Sequence, residues 1–193
     1  MKISVNGVSL FVEVLGPKLK ADGPRSVELP TVIALHGGPS DHGHMIPMVA
    51  ALRDVAHVVM YDHRGCGRSE EGDPALWHME QWADDVVGVC DVLGIEKPIV
   101  FGHSFGGMVA QQYAVRHPGH ASKLIFSATC PRWDTERSVE GFRVQGGDVA
   151  AEAFAAWVGD PNPETTAGFV EHCRRLYTVS RKTDPDAEAR TIT

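Results

Sequence analysis

Four short runs of apolar, largely β-branched residues constrain this chain more than any other feature: Thr31–Leu35, His57–Tyr61, 98–101 and 123–126. Each is too brief for a stable helix and lacks the polar alternation of a strand with one wet face. Such runs suit strands buried on both sides, the habit of parallel sheets. Helical patterns separate them at 44–52, 77–93 and 105–116. In the second, Met79, Trp82, Val86, Cys90 and Leu93 recur at three- and four-residue steps. Gln81, Asp84, Asp85 and Asp91 fall on the opposite side, and Gly94 supplies a stop. The third is ended by Pro118. Strands alternating with helices predict an α/β fold with a mostly parallel sheet and flanking helices.

The ends of the chain differ from this middle. Asn6-Gly7, between apolar runs at 2–5 and 8–14, is a strong hairpin signal. A polar stretch with Pro and Gly follows at 16–30. After about residue 130 the strand pattern ceases, and 149–158 and 165–178 read as helices joined by a turn. The expected organisation is an α/β core over 1–130 and a helical cap segment, incomplete, over 131–193. Trp133, Phe142, Phe154, Trp157 and Tyr177 in that segment are expected to pack against one another rather than line a pocket.

Composition removes several function classes. The 193 residues are 43% hydrophobic, enough for a substantial core, and the net charge of −7 leaves no basic stripe for nucleic acid. Cys66, Cys90, Cys130 and Cys173 are scattered, without the close pairs of a disulfide framework or zinc ribbon, so reduced thiols are expected. The N-terminus turns polar too early for a signal peptide, and no apolar run approaches a membrane span. A soluble, cytoplasmic protein is expected, with no membrane or nucleic-acid partner.

Three glycine-rich segments follow directly on predicted strands. The first is Gly102-His103-Ser104-Phe105-Gly106, between the strand at 98–101 and a helix. A sharp strand-to-helix turn exposes a serine hydroxyl above the sheet edge and aims the helix N–H groups at the same place. Ser104 is therefore the expected nucleophile. The second segment, His36-Gly37-Gly38-Pro39, has the small residues a close backbone approach requires. An oxyanion needs two N–H donors. Phe105 is the first, and Gly38, with Gly37 as second choice, is the other. The third, Asp62-His63-Arg64-Gly65-Cys66-Gly67-Arg68-Ser69, reads as a structural loop tied by Asp62 and Arg64. No cofactor or metal is implied. Asp41, His42 and His44 read as an exposed loop beside the HGGP turn rather than as ligands.

Taken in order, HGGP, DHRGCGRS and GHSFGG resemble the α/β-hydrolase superfamily over nearly the whole chain. HGGP, the D-x-R-G-x-G-x-S loop and Gly72-Asp73-Pro74 with Trp82-Ala83-Asp84-Asp85 are closest to the proline iminopeptidase-like branch. That branch usually carries G-G-S-W-G at the nucleophile, whereas GHSFGG is common in esterases and carbon–carbon bond hydrolases. The resemblance implies a serine hydrolase acting on a small ester or peptide through an acyl-enzyme. Epoxide hydrolases and haloalkane dehalogenases of this fold use Asp where Ser104 stands.

The resemblance also places a triad acid and a His after later strands, which are absent from these 193 residues. The expectation is an N-terminal part of a longer hydrolase, inactive or weakly active alone, with an apolar sheet edge uncovered and the last residues, 187–193, an interrupted helix. Asp134 is a candidate acid within the chain. His172 reads as a surface residue, and His103 is expected to point away from its neighbour Ser104. Rival readings are a non-catalytic receptor or pseudoenzyme on the same fold, and a cofactor-free oxygenase or acyltransferase.

Overall fold

A computed structural model describes residues 1–38 and 40–177. Pro39, the last residue of HGGP, and 178–193, with the expected interrupted helix, lie outside the described residues. The described residues form two compact units, Met1–Pro131 and a second beginning at Arg132.

In the first unit, β1 (Lys2–Val5) and β2 (Val8–Leu15) form the predicted hairpin, with Asn6 and Gly7 both at positive φ. The polar stretch after it holds a second hairpin, β3 (Leu19–Asp22) with β4 (Arg25–Glu28). Its strands are exposed throughout, so no apolar alternation marks them. Then β5 (Thr31–Leu35), β6 (His57–Tyr61), β7 (Ile99–His103) and β8 (Lys123–Ser127) pair in parallel. The six-stranded sheet runs β1-β2-β6-β5-β7-β8. One face carries Ile33, Leu35, Val59, Tyr61 and Val100 against α2 (Met79–Leu93) and α3 (Phe105–Arg116). The other carries Val32, Ala34, Val58 and Met60 against Met45 and Val49. Alternate residues of each strand thus enter two different cores.

The helix expected at 44–52 is instead a series of short turns, His42–Met45, α1 (Ile46–Val49) and Ala50–Asp54, with Pro47 at the start of the middle one. Two other differences concern charge and edges. Asp85, expected on the wet side of α2, is fully buried. At the far edge of the sheet, β8 leaves Leu124, Ile125 and Phe126 between 38% and 47% exposed.

The second unit begins with α4 (Thr135–Gly159), far longer than the helix expected at 149–158. Gly147 (φ +78°) kinks it, and the glycines around that kink obscure its first half in the sequence. α5 (Pro163–His172) starts on an Asn162 capping box and gives way to a 3-10 turn at Arg174–Tyr177. Phe142 stacks on Phe154 at 4.3 Å and Trp157 on Phe169 at 4.4 Å, so these aromatics fill a small core of their own.

Candidate active site

Ser104 stands between β7 and α3 with φ +51° and ψ −118°, a conformation L-residues avoid. Such a backbone costs on the order of 1–3 kcal/mol and persists only where its surroundings enforce it. Three bonds do so. The Ser104 N–H donates to the Ser127 carbonyl on β8 at 2.9 Å. The Ser104 carbonyl accepts from Thr129 Oγ1 at 2.7 Å and from the Gly107 N–H at 3.0 Å. The flanking glycines are required by contact. A Cβ on Gly102 would lie 2.4 Å from the Gly106 carbonyl oxygen, and one on Gly106 would lie 2.2 Å from that of Leu35. The Ser104 side chain makes no helix-capping bond. Among the described residues its hydroxyl has no hydrogen-bond partner.

The loop after β5 closes over this turn. A Cβ on Gly37 would sit 3.1 Å from Ser104 Cβ, and one on Gly38 would sit 3.3 Å from the Phe105 ring. Phe105 is held edge-on by Trp82 at 5.0 Å and by His63 at 5.6 Å. The two expected oxyanion glycines therefore lie against Ser104 and Phe105 respectively, but their N–H groups differ. Gly37 is buried, and its N–H donates to His44 Nε2 at 3.3 Å. Gly38 is exposed, and no hydrogen bond from its N–H is formed with the described residues. Phe105 opens α3, where the first N–H groups have no carbonyl four residues back. Gly38 and Phe105 thus have N–H groups to offer, and Gly37 does not.

Imidazoles support this loop. His36 Nε2 accepts the His63 N–H at 2.9 Å, so its proton lies on Nδ1 and is donated to the Gly37 carbonyl at 2.6 Å. His63 Nε2 donates to the His36 carbonyl at 3.3 Å. Both rings are fully buried. Burial is the main reason that His36 is held well below the usual imidazole range and that His63 falls to about 4. Both are neutral at pH 7.

Asp41, His42 and His44 depart from the exposed loop expected of them. Asp41 and His42 are fully buried, and His44 is partly so. Asp41 caps the turn at His42–Met45 by accepting the Gly43 N–H at 2.6 Å. His42 Nδ1 donates to Asp62 Oδ1 at 2.6 Å. Burial opposes ionisation of Asp62. The His42 ring, the Arg68 N–H and the His42 N–H outweigh it and hold the carboxyl well below the usual range. Asp62 does tie the loop together, with Gly67 passing so close that a Cβ there would lie 2.5 Å from its carboxylate. Arg64 reaches instead to α2, where it grips Asp85.

The remaining candidates are engaged in other contacts. His103 turns to Ser127, its Nδ1 3.3 Å from Oγ. Asp134 belongs to the second unit, where its carboxylate caps α4 by accepting the Arg137 N–H at 2.9 Å. His172 ends α5, its Nε2 3.8 Å from Glu171. No group of three His, Cys, Asp or Glu among the described residues is arranged to hold a metal. No helix among them is long and apolar enough to cross a membrane.

The sequence pattern of the alpha/beta hydrolase fold matches residues 30–182, most of the chain. The chain belongs to the α/β-hydrolase family. Among its curated relatives, the proline iminopeptidase PfmaB of Pestalotiopsis fici is 35% identical over 133 residues, 67% of this hydrolase-fold chain and 43% of the relative. A putative carbamate hydrolase, RutD of Caulobacter vibrioides, is 37% identical over 105 residues, 47% of this chain and 39% of the relative. The crystal structure of a proline iminopeptidase from Mycobacterium smegmatis superposes with a TM-score of 0.70 at 26% identity. It covers 98% of this chain and 65% of its own. An enol-lactonase from Burkholderia xenovorans shares the fold, with a TM-score of 0.63 at 24% identity, 92% of this chain and 70% of its own. The chain spans less than half the length of these curated relatives.

Proposed function

We propose that this α/β-hydrolase chain is the nucleophile-bearing N-terminal part of a cytoplasmic serine hydrolase, and that the second unit is part of its cap. The observation that carries the reading is Ser104 itself, held at a strained strand-to-helix turn, with Phe105 next in the chain and Gly38 packed against the Phe105 side chain. In the proposed reaction Ser104 Oγ attacks the carbonyl carbon of an ester or small amide while its proton passes to a base. The tetrahedral oxyanion accepts from Phe105 and Gly38. Collapse breaks the C–O or C–N bond and expels the alcohol or amine, which takes up the proton from the base. Water then releases the acid from the acyl-enzyme and restores the serine. The base and its acid partner are assigned to the part of the protein beyond this chain. Coverage of under half of the two curated relatives described above and the uncovered apolar edge of β8 support that assignment.

Removal of an N-terminal proline is the proposed specific activity, on the similarity to proline iminopeptidases. The test uses the complete protein with a prolyl arylamide, short-chain p-nitrophenyl esters and a simple carbamate. Turnover of the arylamide that Ser104→Ala abolishes is the expected result. Turnover of the ester or carbamate alone would move the substrate but keep the mechanism. A complete protein that hydrolyses none of them and resists a phosphonate probe would overturn the reading in favour of a non-catalytic receptor.

A further inference from the structure

Two successive peptide groups make up the loop over Ser104, and their four polar atoms are unequally engaged. The peptide joining His36 to Gly37 is held at both ends. Its carbonyl accepts from His63 Nε2 and its N–H donates to His44 Nε2. Among the described residues, the peptide joining Gly37 to Gly38 is held at one end only, by His36 Nδ1 on its carbonyl. In a trans peptide the N–H points opposite to the carbonyl. The His36 bond therefore aims the Gly38 N–H away from His36, and the His44 bond prevents the preceding peptide from rotating. Glycine at both positions supplies no steric resistance to such rotation, so the hydrogen bonds have to hold the loop.

His44 is the weak member of this set. His36 and His63 are fully buried, whereas His44 is only partly buried and sits on the turn at His42–Met45. With Nε2 accepting from Gly37, the proton of the neutral ring lies on Nδ1, and the ring also bonds the Asp41 carbonyl. We infer that His44 is a positioning residue for the proposed oxyanion site, a latch that holds the Gly37 peptide only while its Nε2 is unprotonated. A proton on Nε2 turns the acceptor into a donor, and two donors then face each other across 3.3 Å. The Gly37 N–H is released, and the Gly38 N–H loses its fixed direction.

The groups facing His44 set where this happens. The ring of His36 stands edge-on at 6.2 Å and that of His103 lies at 6.0 Å, both neutral imidazoles below their ordinary range. Partial burial lowers His44 and His42 adds to this, while Asp41 acts the other way through its carbonyl and its charge. The latch therefore stays closed at neutral pH and opens below the ordinary imidazole value.

The inference rests on the proposed hydrolase reading, and two measurements separate them. In the full chain labelled with ¹⁵N, the Gly37 amide is expected to be protected from exchange at pH 7.5. It should lose protection, with a change in its shift, in step with the titration of His44. His44→Ala should abolish the protection at every pH. His44→Gln, whose amide oxygen can accept in place of Nε2, should keep it into the acid range. A Gly37 amide indifferent to His44 would overturn the latch, whatever the protein hydrolyses. In the complete protein, His44→Ala should lower kcat about tenfold with KM little changed, as expected when an oxyanion donor is loosened. His44→Gln should restore kcat and extend it to lower pH. Equal losses in Ala and Gln would also overturn it. An inactive complete protein with an intact Gly37 titration would count against the hydrolase reading alone.

Discussion

Arg64 and Asp85 meet in a two-pronged ion pair, Nε to Oδ2 at 2.9 Å and Nη2 to Oδ1 at 2.8 Å, with both side chains out of solvent. The pair joins the loop after β6 to the middle of α2. Asn6 Nδ2 and Gln81 Nε2 complete the coordination of Asp85, so the first hairpin is tied to the same point. Removing one partner strands a buried charge, which costs about 3–5 kcal/mol. Asp85→Ala is expected to lower the free energy of urea unfolding by that amount, and Asp84→Ala, which loses only the partly exposed contacts to Arg116 and His117, far less. Comparable midpoints for the two variants would contradict the burial described.

The buried histidines predict an acid instability. Their folded-state affinities for protons lie below those of the unfolded chain, so the unfolded chain takes up more protons as pH falls. Stability is then fully present above the ordinary imidazole value and is lost as pH falls toward the folded one. For His63, with a folded value of about 4, the loss between pH 6.5 and 4 is about 3 kcal/mol. His36 adds to it in the same direction. Urea unfolding followed at half-unit steps of pH should show a falling midpoint over this window. A flat profile down to pH 4.5 would mean that these rings are not held neutral.

Two glycines should respond oppositely to alanine. A Cβ on Gly106 would press on the carbonyls of Leu35 and His36, backbone that cannot yield without opening β5. Gly106→Ala should leave the chain insoluble or lower its melting temperature steeply. Gly141 lies within α4 with nothing near its Cβ position, so Gly141→Ala should stabilise that helix by about 1 kcal/mol. Melting curves of both variants, each beside the parent chain, decide the point.

The exposed edge at β8 should make the 193-residue chain self-associate. Apolar residues on both faces of an edge strand, with only Lys123 to guard it, invite pairing with another chain. Light scattering is expected to rise with concentration, and Ile125→Lys should suppress it without lowering the melting temperature. Scattering equal in the two chains would place the association elsewhere.

Much of this was legible before any coordinates. Short doubly apolar runs suit buried parallel strands, and each of the four became a parallel strand of the sheet, although the last, β8, is an exposed edge rather than buried. Asn6-Gly7 specified its hairpin because few residues other than these accept two positive φ values in succession. What escaped was what depends on neighbours far along the chain. Asp84 and Asp85 are adjacent and chemically alike, yet only one meets Arg64. The exposed hairpin of β3 and β4 has no apolar pattern to betray it, and the glycines of α4 hid its first half.

The three glycine-rich segments divide in the same way. By itself the sequence determined that a serine would sit at a tight strand-to-helix turn near a double-glycine loop, because local chain geometry demands small residues there. Only the tertiary structure decided which glycine has an N–H to offer. Gly37 and Gly38 are identical as residues. They differ because His44, brought back by the turn that follows, takes the hydrogen bond of one, while the other has no partner among the described residues.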